Sequence, residues 1–155
     1  MTILEEKSNK ISNPPNFLSS NDKDLLAHIE QSIQEYKKEK QITQIPVRLF
    51  SGKLAASEVI IKYLKESGLS YAEISRIINR DQRTVWTTYS KAIKKQKEPF
   101  NVKNDDSLVD IAIFSTKNKP LQTLIKHLIA KGYSKKQVAS MLDRSYKNIW
   151  MIANE

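Results

Sequence analysis

The stretch LSYAEISRIINRDQRTVW, residues 69–86, decides the fold, because it carries the signals for two short helices and for the turn between them. Ser70 and Glu73 have the spacing of a capping box, in which the serine caps the helix and the acidic side chain returns to the serine backbone. A polar break follows at residues 79–81, and Asp81 is a favourable N-cap for a further helix. The stretch therefore predicts two helices joined by a tight polar turn.

The same pattern recurs 64 residues later, so the chain contains an internal repeat. Residues 50–86 align with residues 114–150 without a gap, and 10 of the 37 aligned pairs are identical. Ser134 and Gln137 repeat the capping box, and Ser145 repeats the second N-cap. Chance rarely gives a gapless match that also preserves apolar periodicity, so we infer a duplicated unit of about 45 residues.

Each unit combines a short apolar opening with an amphipathic first helix. The openings, residues 45–50 and 109–114, are β-like and are candidates for pairing with each other. The first helices are expected at about residues 54–66 and 119–130, where apolar side chains recur with helical spacing. With only 3 Gly and 5 Pro, the chain has few turn residues for a sandwich or barrel, which favours an all-α fold.

Residues 69–85 resemble the helix-turn-helix of bacterial sigma factor region 4 and its relatives, whose pattern is Leu-Ser-x-x-Glu-Ile-Ala-x-x-Leu-Gly-Arg-Ser-x-x-Thr-Val. Residues 132–145, GYSKKQVASMLDRS, form a second version, and the likeness covers about 20 residues in each unit. Asn79 and Asp143 stand where the relatives have glycine, but both residue types tolerate the left-handed conformation. The resemblance implies two tandem three-helix helix-turn-helix units that bind double-stranded DNA.

The resemblance also implies which residues contact DNA, because the third helix of such a unit lies in the major groove. Arg83 is suited to bidentate contact with guanine and Gln82 to contact with adenine, and an ordinary solvated helix face is the alternative. Lys147 suits a base or a phosphate. The third-helix candidates are Gln82, Arg83, Trp86, Thr87, Ser90, Tyr146, Lys147, Trp150 and Met151. Second-helix N-termini favour phosphate, and the candidates there are Tyr71, Lys135 and Lys136.

Trp86 and Trp150 stand where the relatives usually have a polar residue facing the groove. Three interpretations remain open: contact with thymine methyl groups or sugar edges, packing over the β-like openings, or an interface with the other unit or with another protein. We favour packing or an interface. Arg80 and Arg144 are expected to hydrogen-bond carbonyls of the turn, with phosphate contact as the alternative. Asp81 is expected to act as a cap and not to read bases.

The positive charge is concentrated in the repeated part of the chain. The formal net charge is +9, and residues 41–155 hold 20 Lys and Arg against 10 Asp and Glu. Such a field attracts polyanions. Double-stranded DNA is the expected partner, and the chain is expected to act as a transcriptional regulator or a nucleoid-associated protein. The alternative is an adaptor that uses the same fold to bind protein, and RNA binding is less favoured because no stacking sheet is visible.

The predicted organisation is a disordered tail at 1–20, an amphipathic helix at 21–40, a first unit at 45–95, a linker at 96–108 and a second unit at 109–155. The apolar stripe of the helix predicts packing on the same chain or a homodimer through a short coiled coil. Its members are Leu25, Leu26, Ile29, Ile33 and Tyr36.

Signals for catalysis, metal binding and membrane insertion are missing from the sequence. It has no Cys, its two His lie far apart, and no phosphate loop or nucleophile elbow is present. We therefore expect no enzymatic activity, no catalytic residues, no metal, no cofactor and no small-molecule substrate. Residues 1–21 lack the apolar segment of a signal peptide and no run suits a bilayer, so a soluble cytoplasmic protein is expected.

Overall fold

The described part of the chain is mostly helical. The structure, a computed structural model, describes residues 19–41, 44–103 and 107–155 and, within them, all side chains but those of residues 37–41. In these ranges it has seven α-helices and a single two-stranded sheet, so the all-α prediction is confirmed. Of the disordered tail predicted at residues 1–20, residues 1–18 lie outside the described part of the chain.

The first helix, α1, spans Ser20–Gln41, and the chain divides into two compact units between Lys40 and Gln41. Ser19 caps α1: its hydroxyl accepts the Asp22 N–H at 3.2 Å and donates to the Asp22 carboxylate at 2.6 Å. The hydrogen bond from this hydroxyl holds the pKa of Asp22 below its usual value. The predicted apolar stripe of α1 is exposed along its whole length, at Leu25, Leu26, Ile29, Ile33 and Tyr36.

From residue 44 onward the elements occur twice, at a constant offset of 64 residues. The first repeat consists of β1 (Gln44–Pro46), a first 3₁₀ helix (Val47–Ser51), α2 (Ala56–Glu66), α3 (Tyr71–Ile78) and α4 (Gln82–Lys95). The second repeat consists of β2 (Leu108–Asp110), a second 3₁₀ helix (Ile111–Ser115), α5 (Pro120–Ala130), α6 (Lys135–Met141) and α7 (Tyr146–Ala153). The duplication inferred from the sequence is thus a duplication of structure.

The β-like prediction for residues 45–50 and 109–114 is correct only for the first two residues of each range. It is wrong for the rest, because each strand is followed at once by a 3₁₀ helix. Val47 and Phe50 are three residues apart, which places them on one side of a 3₁₀ helix but on opposite faces of a strand. Both are buried, with 1% and 2% of their surface exposed. Burying both side chains in one core therefore requires the helical turn.

The two openings pair with each other, as the sequence suggested. β1 and β2 are antiparallel, and Ile45 lies opposite Val109. On either side, Gln44 pairs with Asp110 and Pro46 pairs with Leu108. Ile45 and Val109 are fully buried, so the pairing forms part of the core.

The two repeats also contact each other outside the strands. α3 of the first repeat packs against the second 3₁₀ helix, and α6 of the second repeat packs against the first 3₁₀ helix. Phe50 and Phe114 meet between the repeats, with ring centroids 5.9 Å apart. α2 packs against α5 as well, so one hydrophobic core runs through both repeats.

Candidate nucleic-acid interface

The second helix of each repeat starts at a complete capping box. The Ser70 hydroxyl accepts the Glu73 N–H at 3.2 Å, and the Glu73 carboxylate accepts the Ser70 N–H at 2.7 Å. In the second repeat, Ser134 and Gln137 make the same two bonds at 3.1 and 2.8 Å. Both predicted capping boxes are confirmed, and together they fix where α3 and α6 begin.

A left-handed residue ends each second helix and sets the direction of the third. Asn79 has φ 51° and Asp143 has φ 48°, values that these two residue types adopt more readily than others. The chain then closes back on the helix, because the Arg80 N–H donates to the Ser75 carbonyl at 3.1 Å. The turn predicted from the sequence therefore survives without glycine.

The third helices begin at the predicted N-caps. Both carboxylate oxygens of Asp81 accept from Thr84, one from its N–H at 2.9 Å and one from its hydroxyl at 2.6 Å. The bond from the hydroxyl is the main reason why the pKa of Asp81 is lowered. The Ser145 hydroxyl accepts the Asn148 N–H at 3.2 Å. Asp81 is therefore a cap, as expected.

Arg80 ties the turn to its surroundings, as predicted. Its guanidinium donates to the Asn79 carbonyl at 3.3 Å and to the Asn118 carbonyl of the second repeat at 3.4 Å. The equivalent Arg144 differs, because its Nε is buried and has no hydrogen-bond partner among the described residues. The Arg144 N–H nevertheless donates to the Ala139 carbonyl at 2.9 Å, as the Arg80 N–H does to Ser75, so the two turns differ in the role of the arginine side chain and share the same backbone closure.

Each third helix buries one side and exposes the other. Val85 and Ile149, at equivalent positions, are fully buried and anchor α4 and α7 in the core. The opposite side carries most of the residues that the sequence predicted to contact DNA. Those that are exposed are Gln82, Arg83, Trp86, Thr87, Tyr146, Lys147, Trp150 and Met151, and Ser90 is half-buried. The structure thus presents two equivalent exposed faces.

The two tryptophans lie in the middle of these faces. Trp86 is 56% exposed and Trp150 is 50% exposed, so the interpretation that they cover the β-like openings is wrong. The Lys135 ammonium lies 5.8 Å from the centre of the Trp150 ring, a cation–π geometry. Contact with DNA and contact with another protein remain as interpretations for both rings.

Two of the hydroxyl groups on the α4 face are already used in hydrogen bonds within the helix. The Thr87 hydroxyl donates to the Arg83 carbonyl at 2.8 Å, and the Ser90 hydroxyl donates to the Trp86 carbonyl at 2.9 Å. Both hydroxyl hydrogens are therefore used within the helix. The amide of Gln82, the guanidinium of Arg83 and the indole N–H of the exposed Trp86 are the groups of this face placed to donate outward.

Of the DNA-contact candidates at the second-helix N-termini, the one in the first repeat packs between helices and the two in the second repeat do not. The Tyr71 ring is half-buried, lies 6.0 Å from the Tyr89 ring and has the Lys65 ammonium 4.6 Å from its centre. Tyr71 therefore packs α3 against α4. Lys136 is exposed at the start of α6, and Lys135 is half-buried there, with its ammonium group near the Trp150 ring.

Asn148 is a candidate that the sequence analysis missed. It is exposed in the first turn of α7, beside Lys147, and an asparagine amide suits bidentate contact with adenine. The sequence did contain a signal for its position, because Asn148 follows the N-cap Ser145 by three residues and so falls in the first turn of the third helix. Its equivalent in the first repeat, Thr84, is engaged by the Asp81 cap, so the comparison of repeats did not point to it.

Comparisons with known proteins give no relative: no family model, no curated protein and no solved structure matches the chain significantly. Within the described ranges, no three His, Asp or Glu side chains are grouped so as to hold a metal ion. Nor does any helix in that part of the chain have the length and apolar character needed to cross a bilayer. The two exposed third-helix faces are therefore the features of the described residues that point to a function.

Proposed function

We propose that this protein binds double-stranded DNA through two tandem helix-turn-helix units, formed by α2–α4 and α5–α7. The observation that carries the proposal is the pair of exposed third-helix faces, each following a capped second helix and a left-handed turn. This is the arrangement in which a third helix enters the major groove. The likeness of residues 69–85 to sigma factor region 4 supports the same conclusion.

The chemistry of the faces suits DNA. Arg83 and Lys147 occupy equivalent positions in the first turns of α4 and α7, and both are exposed. Gln82 and Asn148 add amides that match the donor and acceptor pattern of adenine. The net charge of +10 over residues 41–155 supplies the long-range attraction to phosphates.

The proposed role is a transcriptional regulator or a nucleoid-associated protein, with no catalytic step. The two roles differ in sequence preference, since a regulator selects a site and an organiser of the nucleoid binds most sequences. We further propose that the protein acts in the cytoplasm, on the nucleoid.

The test is fluorescence anisotropy with labelled duplexes, titrated with the full chain at several salt concentrations. The expected result is submicromolar binding at low salt that weakens steeply as salt rises. The double variant Arg83→Ala with Lys147→Ala is expected to lose at least about 2 kcal/mol of binding free energy, because each removed contact is worth about 1–3 kcal/mol. Lys126→Ala on α5 is the control that removes an exposed charge from another helix.

An adaptor that binds protein is the second candidate, favoured by the exposure of Trp86, Trp150 and Met151. The variants separate the two functions. A wild-type chain that binds no duplex at low salt would refute the DNA proposal and favour the adaptor. A folded Arg83→Ala, Lys147→Ala protein with unchanged DNA affinity would instead show that DNA is bound at another surface than the two third-helix faces.

A further inference from the structure

The register of the two strands defines a local twofold axis. Ile45 pairs with Val109, its own equivalent in the second repeat. Gln44 pairs with Asp110, and Pro46 pairs with Leu108, so each flanking residue faces the equivalent of the other. Antiparallel pairing of equivalent residues is the pattern of an isologous interface, in which residue i meets j and j meets i. The axis passes between Ile45 and Val109.

Contacts farther from the strands are related by the same twofold axis. Phe50 meets its equivalent Phe114 at 5.9 Å. The packing of α3 on the second 3₁₀ helix is matched by the packing of α6 on the first. The strand pairing, the aromatic pair and the helix packing are thus all consistent with the same twofold axis. One chain therefore has the symmetry that a homodimer of two identical subunits would have.

The axis determines how the third helices relate to each other. Since it exchanges the repeats, it also exchanges α4 with α7, and the two exposed faces are related by rotation and not by translation. Duplex DNA has twofold axes of its own, perpendicular to its length. When two faces related by a twofold axis dock on one duplex in the same manner, the half-sites they contact have opposite orientations.

We infer, on the basis of the proposed function, that a single chain recognises an inverted repeat in double-stranded DNA. A tandem array of units related by translation would instead select a direct repeat. The symmetry of the fold makes a second chain unnecessary for a two-part site. α4 contacts one half-site and α7 contacts the other.

The two half-sites are similar but unequal. Trp86 and Trp150 are identical and similarly exposed, so the two half-sites resemble each other at the position that faces the indole ring. Arg83 and Lys147 differ, because a guanidinium makes the bidentate contact to guanine and an ammonium acts as a point charge. The half-site read by α4 therefore has the stricter sequence requirement.

The test begins with selection of bound sequences from a random duplex pool by the full chain. Three probes are then built from the two recovered half-sites at the selected spacing, in inverted, direct and everted orientation. Affinity is measured by anisotropy and the number of chains per duplex by native mass spectrometry. Arg83→Ala and Lys147→Ala are compared with Lys126→Ala, which removes a charge from α5.

The expected result is one chain per duplex and an affinity for the inverted probe at least about tenfold higher than for the other two. Arg83→Ala should weaken the effect of base changes in one half-site only, and Lys147→Ala should lower the affinity with a smaller loss of base discrimination, confined to the other half-site. A preference for the direct probe, two chains on one site, or one chain joining two duplexes would overturn the inference while leaving DNA binding intact. Failure to bind any duplex would refute the proposed function as well.

Discussion

Lys62 and Lys126 are identical residues at equivalent positions, yet only Lys62 is buried. Its side chain is fully buried, whereas Lys126 is exposed. The segment after α4 returns over Lys62: the ammonium pairs with the Glu66 carboxylate, donates to the Glu98 carbonyl at 2.8 Å and lies 4.4 Å from the centre of the Phe100 ring. The Glu66 carboxylate also accepts the Phe100 N–H at 2.9 Å, which closes the network.

Lys62→Ala is expected to lower the free energy of unfolding by about 3 kcal/mol. Removal of one partner of a buried ion pair costs about 3–5 kcal/mol, because the other charge is left without compensation. The lower end applies here, since the Glu66 side chain is 23% exposed and water can approach its carboxylate. In a domain of this size the melting temperature should fall by about 10 °C.

Urea denaturation followed by circular dichroism measures the effect. Lys126→Ala, the matched control, should change the free energy of unfolding by less than about 0.5 kcal/mol. The pair Lys62→Met with Glu66→Gln should return to within about 1 kcal/mol of the wild type, because it removes both charges and keeps the volume. Equal losses from Lys62→Ala and Lys126→Ala, or a loss below about 1 kcal/mol at Lys62, would refute this account.

Three further predictions concern the second repeat. Burial lowers the pKa of His127, so protonation favours the unfolded chain, and the free energy of unfolding should fall as pH drops below about 6.5. The substitution His127→Tyr, which introduces the residue type of the equivalent Tyr63, should abolish this fall in thermal melts at several pH values. The control His28→Gln, at an exposed position, should not abolish it. Gly132→Ala should cost about 1–2 kcal/mol in urea denaturation through backbone strain alone, because φ is 105° and no atom lies within 4 Å of an added Cβ. Ser134→Ala should cost about 1 kcal/mol and Ser134→Asp almost nothing, and a Ser134→Ala chain as stable as the wild type would contradict the capping role.

The features that could be predicted from the sequence are those with local signals. The caps at Ser70, Asp81, Ser134 and Ser145 each depend on a side chain and an amide three residues away, so their spacing is visible in the sequence. The left-handed turns were predictable for the same reason. The internal repeat made these local interpretations stronger, because each had to hold twice.

The features that could not be predicted depend on residues distant in the sequence. The 3₁₀ turn after each strand follows from the need to bury Val47 and Phe50 together in a core that the other repeat completes. The burial of Lys62 depends on the return of residues 98–100 over α2, for which no local pattern exists. The outward position of Trp86 depends on what packs beneath α4. In the third helices, the sequence therefore indicated which residues to consider and could not show which way each one faces.

The packing of each second helix against the other repeat has a consequence for how the protein folds. α3 rests on the second 3₁₀ helix and α6 on the first, so a repeat taken alone lacks part of the surface that its own second helix needs. We therefore expect the two repeats to gain and lose their structure in a single cooperative transition. A chain cut between α4 and β2 should still assemble when both fragments are mixed, whereas either fragment expressed alone should remain unfolded and open to proteolysis.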